Sequence, residues 1–144
     1  VPDDSILKLL VPATLAAARD ATERVMVLGR RFGEEDRALY ETAVMEWLVN
    51  IVKHSYVPAD GGSIRVVAEA GPQEMHLVIE DRGRGLSAAH FAAAPSQIEF
   101  DPEALAELPE SGMGLAILKS VMDSVLYEQH QGINRLIAVK RWRS

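Results

Sequence analysis

The chain contains no cysteine. That absence excludes a disulfide framework and any thiolate metal site, and it is compatible with a reducing compartment. No apolar run approaches the ~20 residues that span a bilayer. The first residues also lack the basic-then-apolar pattern of a secretory leader, so a cytoplasmic location is expected. Positive charge is short as well: 15 Lys and Arg stand against 21 Asp and Glu, and a net charge of −6 argues against non-specific binding to nucleic acid. No internal repeat, low-complexity tract or linker interrupts the 144 residues. With 48% apolar and 25% charged residues the composition is that of an ordinary globular protein, and one domain covering 1–144 is expected.

What is present is concentrated in Glu46-Trp47-Leu48-Val49-Asn50-Ile51-Val52-Lys53-His54, where polar groups recur every fourth residue inside a largely apolar segment. At about 100° per residue, Glu46, Asn50 and His54 fall on one helical stripe beside Ala43, Trp47 and Ile51. Polar groups buried without partners cost about 1–3 kcal/mol each. A network, water or a ligand must satisfy a carboxylate, an amide and an imidazole set beside a core face.

Along the chain, Ser5 to Val11 reads as a strand stopped by Pro12. Ala13 to Arg31 reads as an amphipathic helix with Leu15, Ala18, Thr22, Val25 and Val27-Leu28 on its apolar face and a solvated face at Arg19, Asp20, Glu23 and Arg24. Gly33 stands just past its end. A second helix opens at Glu34 or Asp36 and runs to about His54, before Pro58 and Asp60-Gly61-Gly62. It is nearly apolar all round, which predicts cover on more than one side. Ser63–Ala70 and Glu74–Glu80 are strands joined at Gly71-Pro72-Gln73. In the second of them Met75, Leu77 and Ile79 share a face that Asp81 extends if the strand persists, and Arg82-Gly83-Arg84-Gly85 then forms a turn open to close approach.

Leu86 to Ser111 has no periodicity, three prolines and many small residues, and it reads as a functional loop or lid over about 86–111, with room for a helical turn or two from Pro102 to Leu108. Ser111-Gly112-Met113-Gly114 leads into a helix from Leu115 to Met122, whose glycine-rich start offers N–H groups at the positive end of the helix dipole. Strands Ser124–His130 and Asn134–Trp142 close the chain about Gln131-Gly132. The order β-α-α-β-β-lid-α-β-β predicts an α+β, two-layer sandwich.

Glu46/Asn50/His54 on a helix, Asp81 before Gly83 and Gly85, and Gly112-Met113-Gly114 at a helix start are weak signals singly. In this order, on helix, strand end and helix start, they resemble the nucleotide site of the GHKL ATPases, the superfamily of gyrase, Hsp90 and histidine-kinase ATP domains. Glu46-x-x-x-Asn50 resembles its N-box, Asp81-x-Gly83-x-Gly85 its first glycine box, and Gly112-x-Gly114-Leu115 its second. His54-Ser55-Tyr56 and Ser111-Gly112-Met113-Gly114-Leu115 are most similar to the anti-sigma-factor serine/threonine-protein kinases. The resemblance runs from about Ser5 to the end. It implies the Bergerat ATP-binding fold, with a mixed, mostly antiparallel sheet and helices on one face.

The resemblance further implies ATP and Mg²⁺, with Asn50 as the metal ligand through its side-chain oxygen. Glu46, one turn away, is placed to take the proton of an incoming serine hydroxyl as general base. Asp81 accepts from the amino group of adenine. Gly83 and Gly85 let the backbone pass the base, while Ser111, Gly112, Met113, Gly114 and Leu115 face the phosphates. Lys53 is placed to reach phosphate, as the equivalent lysine does in many histidine kinases, and a plain surface lysine accounts for it equally well. A hydrogen-bonded structural histidine accounts for His54 at least as well as a ligand contact.

Such kinases hold a sigma factor inactive and phosphorylate a serine of a STAS-domain anti-anti-sigma protein, often as homodimers, with no direct contact to nucleic acid or membrane. The first two helices and first strand are the expected partner surface. One departure bears on the reaction: relatives often carry a basic residue just before Ser-Gly-Met-Gly, whereas this chain has Glu110. It has no Lys or Arg from Ser87 to Ser111, only Glu99, Asp101, Glu103, Glu107 and Glu110. Two other readings therefore stand beside the kinase: a nucleotide-dependent binding module without transfer, and the ATP domain of a histidine kinase or of a phosphatase-kinase fusion.

Overall fold

The computed structural model describes residues 5–56, 61–85 and 110–142, with 110–113 as backbone. The expected lid, including the turn or two from Pro102 to Leu108, lies outside the described residues, as do Pro58 and Asp60. Five strands form one sheet: β1 (Ile6–Pro12), β2 (Ser63–Ala70), β3 (Glu74–Asp81), β4 (Ser124–His130) and β5 (Ile133–Arg141). Their order is β1-β2-β3-β5-β4, and all four pairs are antiparallel, so the expected mixture with parallel pairs is absent among the described residues. Pro12 ends an edge strand, where a missing donor costs the ladder little.

Three helices, α1 (Leu15–Leu28), α2 (Glu34–Asn50) and α3 (Glu110–Val121), cover one face of this sheet. The period of two makes that face: Ile64, Val66 and Ala68 of β2, Met75, Leu77 and Ile79 of β3, and Leu136 and Ala138 of β5 are all buried. Their opposite-face neighbours carry a charge ladder, in which Glu80 pairs with Arg135 at 2.5 Å and lies 3.9 Å from Arg65, while Arg135 lies 3.7 Å from Glu128.

Thr14 caps α1 by accepting the Ala17 N–H at 3.1 Å. Ala18, Ala21, Thr22 and Val25 are its buried stripe, at helical spacing. Leu15 and Val27, expected on that stripe, are exposed at 50% and 56%, because Leu15 stands at the helix start and Val27 lies about 200° round from Val25 at 100° per residue. Gly33 gives α2 no side-chain cap, and the acids Glu34, Glu35 and Asp36 in its first turn complement the helix dipole instead. As its composition predicts, α2 is covered by both α1 and α3. Lys140 is buried on the core face of β5 and donates to the Val121 carbonyl at the C-terminus of α3, 3.0 Å away. At the sheet end that carries the β2–β3 hairpin, the Arg31 guanidinium stacks 4.8 Å over Trp142 and donates to the carbonyls of Gly71 and Pro72. The other end, where β3 finishes and β5 begins under the C-terminus of α2, holds the site.

Candidate functional site

Asp81 is the last residue of β3, in phase with the core face as its parity predicts, and only 5% exposed. Three donors converge on its Oδ1: the Ser55 hydroxyl at 2.5 Å, the Gly83 N–H at 2.9 Å and the Asn134 Nδ2 at 2.8 Å. The Ser55 oxygen itself accepts the Gly85 N–H at 3.1 Å, which commits its hydrogen to Asp81. Asn134 gives its second amide hydrogen to the Gly83 carbonyl at 2.9 Å, and its Oδ1 accepts from Gln129 Nε2 at 3.0 Å.

The turn after β3 is drawn tightly against the end of α2. Arg84 N–H donates to the Ser55 carbonyl at 2.6 Å, and Arg82 N–H to the Tyr56 hydroxyl at 2.7 Å. This approach is what demands the two glycines. A Cβ on Gly83 would land on the Ser55 carbonyl; Gly85 has φ +70°, and a Cβ there would lie 2.5 Å from Asn134 Oδ1.

Ser55 reaches Asp81 because α2 does not end as a plain α-helix. After Asn50 it widens into one π turn, Ile51–Ser55, in which the i→i+5 relation replaces i→i+4. His54 stands four residues past Asn50, where an α-helical stripe would continue, and Ser55 stands five past it. The wide turn gives the inward place to Ser55, which is buried, and leaves His54 exposed at the rim of the cleft, its carbonyl accepting from Arg84 Nη2 at 3.2 Å. Ser55 thus takes the inward place next to Asp81, while His54 reaches the same cleft from its rim. Lys53 is exposed.

Glu46 and Asn50 are half-buried where α2 meets α3. A Cβ on Gly114 would sit 3.0 Å from Asn50 Nδ2 and 3.1 Å from Glu46 Oε2, so the α3 backbone rests closely on these two side chains. The helix begins at Glu110, earlier than the expected start at Leu115. Gly114 and Leu115 thus lie within the helix, where a regular ladder pairs their N–H groups with carbonyls four residues back. Gly112 and Met113 are described as helical backbone only.

Between these parts lies a cleft of about 60 Å³, reached by Asn50, Ile51, His54, Ser55, Asp81 and Gly85 and flanked by Trp47 and Tyr127. The two rings meet edge to face at 5.6 Å. Trp47 Nε1 is buried with no partner among the described residues, a donor awaiting an acceptor from water or a ligand. The described residues contain no cluster of three or more His, Asp or Glu able to cage an ion. The donor set suits Mg²⁺ held chiefly by phosphate and water with one protein oxygen: with Asn50 Nδ2 beside Gly114, its Oδ1 is the hard oxygen available to such an ion.

Ser55, Gln129, Asn134, Trp47 and Tyr127 escaped the sequence reading as site residues. Asn134 left a signal there: it is in phase with Leu136 and Ala138, a polar side chain on a core face. Ser55 left only its place in His54-Ser55-Tyr56, since its contact with Asp81 depends on the π turn.

Residues 10–140 match the family model of the histidine kinase-like ATPase domain. Curated relatives include an anti-sigma F factor of Clostridium beijerinckii, 26% identical over 101 residues that cover 70% of this chain and 67% of the relative. An anti-sigma F factor of Shouchella clausii is 27% identical over 107 residues, 74% of this chain and 70% of the relative. The sensor protein IrlS of Burkholderia pseudomallei is 27% identical over 108 residues, 74% of this chain but 23% of the relative. Among solved structures, the mycobacterial sensor histidine kinase MprB superposes with a TM-score of 0.56 at 22% identity, covering 94% of this chain and 99% of that one, which supports the fold. With the family model spanning nearly all of it, and with the end of α2 and the end of β3 brought round one cleft, the chain belongs to the histidine kinase-like ATPase domain family.

Proposed function

We propose that this chain binds Mg²⁺-ATP in the cleft above Asp81 and acts as a serine kinase of the anti-sigma-factor type. In this reading it sequesters a sigma factor and transfers phosphate to a serine of a STAS-domain antagonist, as a homodimer in the cytoplasm. The observation that carries the reading is that Asn50 and Asp81, from a helix and a strand end far apart in sequence, line the same cleft, with Glu46 one helical turn from Asn50.

Each residue has a part. Asp81 accepts a hydrogen from the base, and Gly83 and Gly85 hold the turn that carries it. The N–H groups at the start of α3, those of Ser111 and Gly112, meet the phosphate chain, with Met113, Gly114 and Leu115 behind them and Lys53 reaching in from the turn after α2. Asn50 gives an oxygen to Mg²⁺, which when bound neutralises phosphate charge. Glu46 removes the proton of the acceptor hydroxyl as it attacks. The anti-sigma F factors among the relatives support the choice of partner.

A second reading, a nucleotide-dependent binding module that sequesters without transferring, is favoured by one observation. From Ser87 to Ser111 the chain has no Lys or Arg, and Glu110 precedes Ser111 where a cation would assist transfer. Incubation with Mg²⁺-ATP and a STAS-domain antagonist, followed by intact mass, decides between them: one added phosphate on the antagonist is expected. An unchanged mass for an antagonist shown to bind would leave the binding module.

A further inference from the structure

We propose that Trp47 is a ligand-binding residue of this cleft, donating its indole N–H to an unprotonated ring nitrogen of the bound base. The inference rests on the nucleotide reading of the cleft.

Trp47 is 3% exposed, and its Nε1 is buried with no acceptor among the described residues. An indole N–H can only donate, so no change of protonation relieves it. A donor left unpaired in this way forfeits the hydrogen bond it would make with water, and a folded chain that keeps one needs a reason for it. The place of Trp47 supplies the reason. Asn50 and Ile51 stand one helical turn on, and all three residues line the cleft together with Tyr127.

The neighbours decide which acceptor fits. Ile51 lies beside the indole, and the Tyr127 ring meets it edge to face with centroids 5.6 Å apart. Against these apolar surfaces a phosphate oxygen would lose its hydration without a replacement, whereas a flat heteroaromatic ring packs on them and carries its lone pairs in its own plane. Nε1 is shut off from solvent, so the acceptor reaches it only as a neighbour gives way. Tyr127, half-buried on the edge strand β4 and on the cleft wall, is that neighbour. The bond is therefore made in the occupied cleft and absent from the empty one.

The chain has two tryptophans, which gives the test its own control. Trp142 Nε1 already donates to the Gly71 carbonyl at 2.9 Å, at the opposite end of the sheet. Proton–nitrogen correlation spectra of the indole region, recorded as the native chain is titrated with Mg²⁺-ATP, should show the Trp47 resonance moving downfield while that of Trp142 stands still. Loss of one peak in Trp47→Phe or in Trp142→Phe makes the assignment. The titration is then repeated with 1-deaza-, 3-deaza- and 7-deaza-ATP, each of which replaces one ring nitrogen by C–H. One of the three should fail to move the Trp47 resonance downfield and should bind roughly three- to tenfold more weakly than ATP, the worth of one hydrogen bond. In Trp47→Phe, ATP and that analogue should bind alike, because the donor is gone.

All four nucleotides bring a similar ring to the cleft. A Trp47 resonance that moves equally with each of them reports only that ring and would overturn the proposal, as would one that stays still while ATP binds. If Trp47→Phe fails to fold, the analogue series on the native chain decides. Native protein that displaces no fluorescent nucleotide with ATP or any analogue would overturn both the proposal and the nucleotide reading.

Discussion

Asp81 and Asn134 form the cross-strand pair that closes the β3–β5 ladder, their carboxylate and amide 2.8 Å apart. The pairs behind them on the same face, Ile79 with Leu136 and Leu77 with Ala138, are wholly apolar and buried. Within one two-residue step the core becomes the site, and the polar pair inherits the rigidity of the apolar ones. That placement makes the surrounding turn unforgiving.

Gly83→Ala tests it directly. The added methyl must displace the Ser55 carbonyl, which already accepts the Arg84 N–H. Overpacking of this kind costs about 1–3 kcal/mol, and for a chain of this size that lowers the melting temperature by roughly 2–12 °C. Differential scanning fluorimetry should show the loss, together with weakened nucleotide binding. An unchanged melting temperature would mean that the turn relaxes freely.

Asn50→Ala addresses the metal. A native-state ligand at 100 times its Kd adds about 2.7 kcal/mol, which should appear as an upward shift of roughly 5–11 °C with Mg²⁺-ATP. In the variant, most of the difference between shifts measured with and without Mg²⁺ should vanish. A variant that kept the full Mg²⁺-dependent shift would remove Asn50 from the ligand set.

Glu46→Gln keeps the shape against Gly114 and removes the base. Nucleotide affinity should be retained while phosphate transfer to the antagonist falls by about 10²–10⁴-fold, the usual contribution of a general base. Equal loss of binding and transfer would assign Glu46 to the packing of α2 on α3.

Tyr40 bears on stability with pH. Its hydroxyl is buried without a partner among the described residues, and burial raises its pKa far above the ordinary value. The neutral form is favoured in the folded chain, so above about pH 10 the unfolded chain releases this proton first and stability falls as pH rises. Tyr40→Phe keeps the ring in its tilted contact with Phe32, centroids 4.8 Å apart. It should be neutral or stabilising at pH 7, because it removes a buried unpaired group, and urea melts from pH 9 to 11 should lose part of their decline. An identical decline in both proteins would exclude Tyr40 as its source.

Much of this was legible in the sequence because its signals are periodic. The alternation in Glu74–Asp81 placed Asp81 on the core face, and β2 begins and ends where Gly62 and Gly71 suggested. The helix of Glu46 and Asn50 followed from its spacing of four. What the sequence concealed comes from departures from a period or from partners far along the chain. Ser55 displaced His54 because one turn is wider than an α turn. Asn134 and Gln129 joined Asp81 through strand order, which places β5 between β3 and β4 and which no local pattern states. The glycines at 112 and 114 look like a loop by composition, yet packing of α3 on α2 carries the helix back to Glu110.

The π turn at Ile51–Ser55 also has a bearing on local motion. Its first amide, that of Ile51, still bonds the Trp47 carbonyl, while the last residue of the turn is bound by side chain and carbonyl to the turn after β3. Hydrogen exchange should be faster from Val52 to Ser55, at the end of the helix, than at the buried Val44–Leu48 segment, and it should slow when the cleft is filled, because opening the turn then breaks the ligand's floor. The widened turn becomes a local clock for occupancy, readable by deuterium uptake without a label, a partner or any turnover.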